Sequence, residues 1–288
     1  MNITKLTTRS GLTFNSWIAG PANGPLVLLL HGFPQSRHAW TDQLAALTDA
    51  GFHAVAPDQR GYSPGARPDP NDLSNYAIER LVGDVVEIAE ACGGPGVRFH
   101  LAGIDWGGQV AWATAAAHPD RLLSLNVLSR PHPNAFVAAF DSDPDQQHRS
   151  RHHRAFHDRT TGPMLLADDA APLRQMLAGA GLRPERIADY LSVVGSPAAM
   201  EAALAWYRAT GLRIDLPPTA VPTCYIWGDD DVSVGRAAAE GTAAHVRAPY
   251  RFEVLEGVGH FSSDEAPEQV SALFIDHMTS HNAQNSLP

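Results

Sequence analysis

Three side chains in this sequence have the types and the order to carry out a covalent hydrolysis: an aspartate, a second aspartate and a histidine. Asp105 stands at the centre of "GIDWGG" (103–108), where a β-like run passes directly into a helix-like one. A strand that turns straight into a helix holds its middle residue in a tight, exposed geometry. Gly103, Gly107 and Gly108 leave side chains out where backbone segments must approach closely. That is a seat for a nucleophile, and here it holds a carboxylate. A carboxylate gains little by attacking an amide carbonyl, because the anhydride formed is too reactive, but it displaces well at a saturated carbon bearing a strained or good leaving group. The alternative for Asp105 is a cap on the helix that follows, a role aspartate often fills.

Three further segments bear on that choice. "HGFP" (31–34) follows the apolar run Leu26 to Leu30. The backbone N–H of Phe33, with that of Trp106, can form a pocket for a developing negative charge. Pro34 would hold this loop, a cis bond being one way to do so; a plain Gly-Pro turn is the simpler alternative. "WGDDD" (227–231) follows a late β-like run, and loops beyond the carboxyl ends of strands are where open α/β sheets place their ligands. Asp231 is selected there to orient a histidine, with Asp229 and Asp230 assigned to the turn or to solvent. His260, in "GVGHF" (257–261), lies between the last strand-like and last helix-like runs. Most of the 14 histidines must be structural or superficial; His260 is singled out because the order nucleophile, acid, histidine is that of a hydrolytic triad.

The elements that must position these residues alternate in the manner of an α/β fold with a mostly parallel sheet flanked by helices. Ile3 to Thr8 and Leu12 to Ala19 predict an antiparallel hairpin at a sheet edge. Strands follow at 26–30, 52–57, 98–103, 122–128, 223–228 and 250–257. Helices are expected at 41–50, 76–91, 108–117, 236–245 and 267–281. Helical signals alone run from Asn134 to Asp215, so the chain divides into a core of 1–130 and 216–288 and an inserted helical cap of 131–215. The tail "NAQNSLP" is expected to fray.

Composition excludes several classes. Hydrophobic residues make up 44% and charged residues 18% of 288, the balance of an ordinary globular protein. The apolar run "PLVLLL" is far shorter than the roughly 20 residues of a spanning helix, so no membrane association is expected. A net charge of -10 disfavours nucleic acid as a partner. Cys92 and Cys224 lack ligand spacing, which argues against a metal site or disulfide framework. The N-terminus lacks a secretory pattern, so the cytoplasm is the default location. A homodimer is left open. One segment reverses the charge: "QHRSRHHRAFHDR" (147–159) holds four arginines and four histidines.

Taken together, "HGFP", "DQRGYSPG", "GIDWGG", "WGDDD" and "GVGHF" resemble the epoxide hydrolase and haloalkane dehalogenase branch of the α/β-hydrolase superfamily over nearly the whole chain, with the epoxide hydrolases nearer. The resemblance implies an α/β-hydrolase fold with a helical cap and a small-molecule substrate. It implies attack by Asp105 on carbon, a covalent alkyl ester, and hydrolysis of that ester by water activated on His260, with no cofactor or metal. The cap segment "ALAWYR" (203–208) is similar to that of epoxide hydrolases. It makes Tyr207 a proton donor to the opening ring, with a core aromatic as the alternative, and Trp206 a substrate-binding candidate beside Pro34. The family's first cap tyrosine is missing. His152 and His153 stand near its expected position, as site candidates or as part of a solvated cationic helix face. Ile104 stands where the family commonly has histidine. The competing readings are a haloacid or haloalkane dehalogenase, with the Trp106 indole donating to a halide, and a non-catalytic binding protein on the same fold.

Overall fold

The central strands are buried on both faces, so they read as continuous apolar runs rather than alternating ones. In the computed structural model, which describes residues 2–211 and 213–282, Leu26–Leu30 and Phe99–Ile104 are such strands and every residue in them is buried. Eight strands form one sheet: β1 (Thr4–Thr7), β2 (Thr13–Ala19), β3 (Leu26–Leu30), β4 (His53–Pro57), β5 (Phe99–Ile104), β6 (Leu122–Leu128), β7 (Thr223–Gly228) and β8 (Tyr250–Leu255). Their spatial order is β1-β2-β4-β3-β5-β6-β7-β8. The β1–β2 hairpin is antiparallel and forms one edge, as expected, and the strands from β4 to β8 pair in parallel.

Register is what brings the site together. Leu30 pairs with Gly103, Ile104 with Leu128, Leu128 with Ile226 and Gly228 with Leu255. The carboxyl ends of β3, β5, β6, β7 and β8 therefore open on the same edge of the sheet. Segments 31–34, 105, 129–130, 229–231 and 256–260 all emerge there.

The core helices are α1 (Thr41–Asp49), α2 (Ile78–Gly93) and α3 (Trp106–Ala117). Six more lie between β6 and β7: α4 (Pro133–Ser142), α5 (Pro144–Arg149), α6 (His152–His157), α7 (Thr161–Gly179), α8 (Pro184–Val194) and α9 (Pro197–Thr210). The chain closes with α10 (Arg236–Gly241), α11 (Ser262–Glu265) and α12 (Pro267–Ser280). Within α7, residues 167–170 leave helical geometry. Pro172 explains the break, since its ring collides with the carbonyl of the residue four earlier, Asp168.

Several boundaries differ from expectation. Helix α3 begins at Trp106 rather than Gly108, and Gly107 in its first turn lets it approach β3, since a Cβ there would lie 2.0 Å from the carbonyl oxygen of Leu30. The segment before Ile78 forms a separate 3-10 turn, Leu73–Tyr76, and the expected helix 236–245 is α10 followed by another such turn, Thr242–His245. Residues 283–288 of the expected frayed tail lie outside the described residues. Among the described residues no helix is long and apolar enough to cross a membrane.

Candidate active site

Asp105 adopts φ 51° and ψ -120° between β5 and α3. That is an unfavourable conformation for a residue with a Cβ, and such strain is held where surrounding structure enforces it. The side chain makes no cap hydrogen bond to α3; it turns instead toward the 31–34 loop. Its Oδ1 accepts the Phe33 N–H at 2.9 Å. Gly32 makes that approach feasible, since a Cβ there would sit 2.4 Å from Asp105 Cβ and Oδ1. The Phe33–Pro34 peptide is cis. His31 shapes the loop from beneath: it is fully buried, contacts the Gly32 carbonyl through Nδ1 at 3.0 Å and accepts the Gln59 N–H at Nε2. Burial brings it down to about 4, which keeps it neutral.

His260 bridges the two aspartates. Its Nε2 lies 3.6 Å from Asp105 Oδ2, and its Nδ1 lies 3.0 Å from Asp231 Oδ1. Asp231 is fully buried and also accepts the N–H groups of Ser233 and Val234. Asp229 instead accepts the Gly257 N–H and Asp230 is exposed, which matches the turn and solvent roles expected of them. Burial alone would lower His260, but Asp231 and then Asp105 outweigh it and hold the imidazole well above its ordinary value. Burial likewise opposes ionisation of Asp105, yet His260 and the Phe33 and Trp106 amides bring it down to about 2.

A cavity of about 330 Å³ opens over this cluster. Phe33, Pro34, Asp105, Tyr207 and His260 wall it, with Phe156 packed edge-on against Phe33 and Tyr207. Tyr207, on α9, is held protonated, chiefly by burial and then by Asp105. The expected histidine pair divides. His152 faces this cavity but commits Nδ1 to the Arg149 carbonyl at 2.8 Å. A carbonyl only accepts, so neutral His152 presents an unprotonated Nε2. His153 lines a second, smaller cavity with Asp105. Burial lowers both imidazoles, so neither stands as a cation at neutral pH. Trp206 is not brought to the cavity. Its indole N–H donates to the Arg60 carbonyl at 3.0 Å and its ring packs edge-on against Tyr62 and Trp106, so it supports the neighbouring Tyr207 from the core side.

Two residues at the end of β6 went unnoticed in the sequence. Ser129, buried and at φ 65°, donates to Asp231 and lies 2.8 Å from His260 Nδ1. Arg130 donates from Nε to Gln109 Oε1 at 2.8 Å and faces the smaller cavity with Asp105. The signal that could have found them was positional, since both lie just beyond the carboxyl end of a central strand.

Residues 27–273 match the model of the alpha/beta hydrolase family. The chain is 30% identical over 277 residues to the AB hydrolase superfamily protein YfhM of Bacillus subtilis (strain 168), covering 93% of this chain and 95% of that one. It is 30% identical over 281 residues to Epoxide hydrolase 3 of Xenopus tropicalis, covering 93% of this chain and 75% of the relative. Among solved structures, Epoxide Hydrolase A from Mycobacterium thermoresistibile superposes with a TM-score of 0.80 at 26% identity, covering 96% of this chain and 98% of that one. A structure described among novel epoxide hydrolases from hot-environment metagenomes superposes with a TM-score of 0.85, also at 26% identity, over 98% and 99% of the two chains. With the sheet order, the strand-end residues and these matches in agreement, the chain belongs to the alpha/beta hydrolase family and is epoxide-hydrolase-like within it.

Proposed function

We propose that this protein is an epoxide hydrolase that opens its substrate to a vicinal diol through a covalent ester on Asp105. The observation that carries the reading is the division of labour between the two oxygens of one carboxylate. Oδ1 is held by the Phe33 amide, while Oδ2 is free of it and faces His260. Oδ2 is then the nucleophile, and Oδ1 becomes the ester carbonyl oxygen, already seated where an oxyanion would form.

As Oδ2 attacks a ring carbon, the C–O bond breaks and its electron pair goes to the ring oxygen. An alkoxide is strongly basic and requires a proton donor. Tyr207, on the wall of the same cavity and held protonated, supplies it. His153, whose ring packs edge-on against Tyr207 at 5.3 Å, is the histidine that can assist, because Nδ1 of His152 is already engaged and its Nε2 carries no proton. The helices α4–α9 act as a cap that carries these groups over the nucleophile.

Alkylation also prepares the second step. Once Asp105 is an ester it is neutral, and one of the charges that raises His260 disappears. The imidazolium then gives up its proton, which returns by way of solvent to the Tyr207 oxygen, and the neutral ring, oriented by Asp231 and Ser129, accepts a proton from water. That water attacks Asp105 Cγ, the Phe33 and Trp106 amides stabilise the oxyanion on Oδ1, and the diol leaves with Oδ2.

The test is intact mass of a His260→Gln variant exposed to epoxides and organohalides. An increase equal to a whole epoxide is expected. An increase equal to substrate minus hydrogen halide, with no epoxide adduct, would make the protein a dehalogenase. No adduct, together with an inactive wild type, would refute the reading.

A further inference from the structure

Two cavities meet at Asp105 and differ in kind. The larger is walled mainly by apolar groups such as Phe33, Phe156, Met176 and Phe261. The smaller, about 10 Å³, has room for about one water. It is lined by Asp105, Trp106, Gln109, Arg130, His153 and Gly211.

Arg130 lacks the carboxylate partner that each of the buried arginines Arg37, Arg60 and Arg186 has. Arg37 faces Asp58, Arg60 faces Asp84 and Arg186 faces Asp264. Arg130 is half-buried over the Phe136 ring, at 4.2 Å, and among the described residues it has Gln109 as its side-chain hydrogen-bond partner and no carboxylate at ion-pair distance. Burial disfavours its charge, and the Asp105 anion on the wall of the same small cavity offsets part of that cost from beyond ion-pair distance. The approach to it has the same sign. His153 and Gly211 also wall an open groove of about 640 Å³ that carries Arg151, Arg154 and His157. In a chain of net charge -10, this is a local reversal directed at the nucleophile.

We infer that Arg130 is a carboxylate subsite, and that the substrate is an epoxide bearing an acidic group on or next to the ring, with an apolar substituent on the other side. The inference rests on the epoxide hydrolase reading. The short separation follows from the small cavity, whose walls include both Asp105 and Arg130 and which would take one carboxylate oxygen in the place of a water. The apolar substituent belongs in the larger cavity. The guanidinium would donate a charge-assisted hydrogen bond to that oxygen, and it offsets the repulsion between the carboxylate and the Asp105 anion. The reaction balances without a co-reactant: epoxy acid plus water gives dihydroxy acid. Oδ2 forms the ester bond, the ring C–O bond breaks, Tyr207 protonates the ring oxygen, and water cleaves the ester.

The test compares kcat/KM for 3-phenyloxirane-2-carboxylate, its amide and styrene oxide. The acid is expected to exceed the amide by at least about tenfold in the wild type, the scale of one charge-assisted pair. In Arg130→Met that ratio should fall to about one or below, while Arg130→Lys retains part of it. A measurement on the wild type guards against a variant that does not fold: 3-phenylpropanoate should inhibit styrene oxide turnover at least about tenfold more strongly than 3-phenylpropanamide. Equal handling of acid and amide, or a preference that survives Arg130→Met, would overturn the subsite while leaving the epoxide hydrolase reading in place. No turnover of all three epoxides, with no adduct on the His260→Gln variant, would remove the reading and the subsite together.

Discussion

In the proposed mechanism a single carboxylate in a strained turn carries the chemistry, and its neighbours serve the two states it would pass through. Asp105 is held at about 2 by His260 and two amides, so it is ionised at neutral pH. As the proposed ester it would no longer support a charged His260. The leaving group sets the demand on Tyr207, which leads to a prediction about one hydroxyl. Tyr207→Phe should slow single-turnover alkylation by an epoxide about 10²-fold, the low end of what a general acid supplies, because His153 remains. Attack on an alkyl bromide, whose leaving group needs no proton, should change by less than about threefold. Rapid-quench mass spectrometry measures both, and equal losses for the two substrates would mean that Tyr207 packs the site rather than protonating the ring oxygen. At this scale the sequence was largely legible. Asp105, Asp231 and His260 carry local signatures of turn chemistry and chain order. Ser129 and Arg130 do not, because a serine and an arginine before a proline acquire a role only from what the neighbouring strands bring beside them.

The elements that hold the site are tied together by one loop, "DQRGYSPG" (58–65). Gln59 bonds His31 from below the Phe33 loop, while the Arg60 carbonyl accepts the Trp206 indole of α9. The same segment therefore supports the amide that grips Asp105 and the helix that carries Tyr207. Arg60 is itself fixed by a bidentate pair with Asp84 of α2, at 2.7 and 2.6 Å, with both side chains about 9% exposed. Removing one partner of such a pair leaves a buried charge. Asp84→Ala should cost about 3–5 kcal/mol and lower the melting temperature by roughly 6–20 °C, at 2–4 °C per kcal/mol. The double change Arg60→Met with Asp84→Leu should recover much of that loss in calorimetry. A single variant within about 0.5 kcal/mol of wild type would show that the pair is not what holds the loop. The motif was visible in the sequence as a turn-rich loop. Its partners were not, since Asp84 reads in sequence as one more polar position on an amphipathic helix.

Across the whole molecule, the helical insertion and the sheet share one core. Leu128 and Val127 of the sheet belong to the same buried cluster as Leu173, Tyr190, Val194 and Trp206 of the insertion. An insertion whose apolar face is spent on the core has little with which to fold alone, so thermal unfolding should be a single transition with equal calorimetric and van't Hoff enthalpies. Two resolved transitions, or complete hydrogen exchange of α8 and α9 ahead of β5 and β6, would contradict this. The strand runs, the long helical stretch between β6 and β7 and the nucleophile's turn were all readable along the chain, because periodicity, glycine placement and chain order are local properties of the polypeptide. The partition of "RSRHHRAFH" was not. Arg151, Arg154 and His157 face solvent while His152 and His153 turn inward, and the direction of each depends on how α6 packs against α9. Trp206 and Tyr207 are adjacent in sequence and equally aromatic, yet one supports and the other faces the cavity. The distinction between the two oxygens of Asp105, and the Arg130 cation that shares a small cavity with them, likewise exist only once distant segments share the same edge of the sheet, since hydrogen-bond geometry and desolvation are set by neighbours in space rather than in sequence.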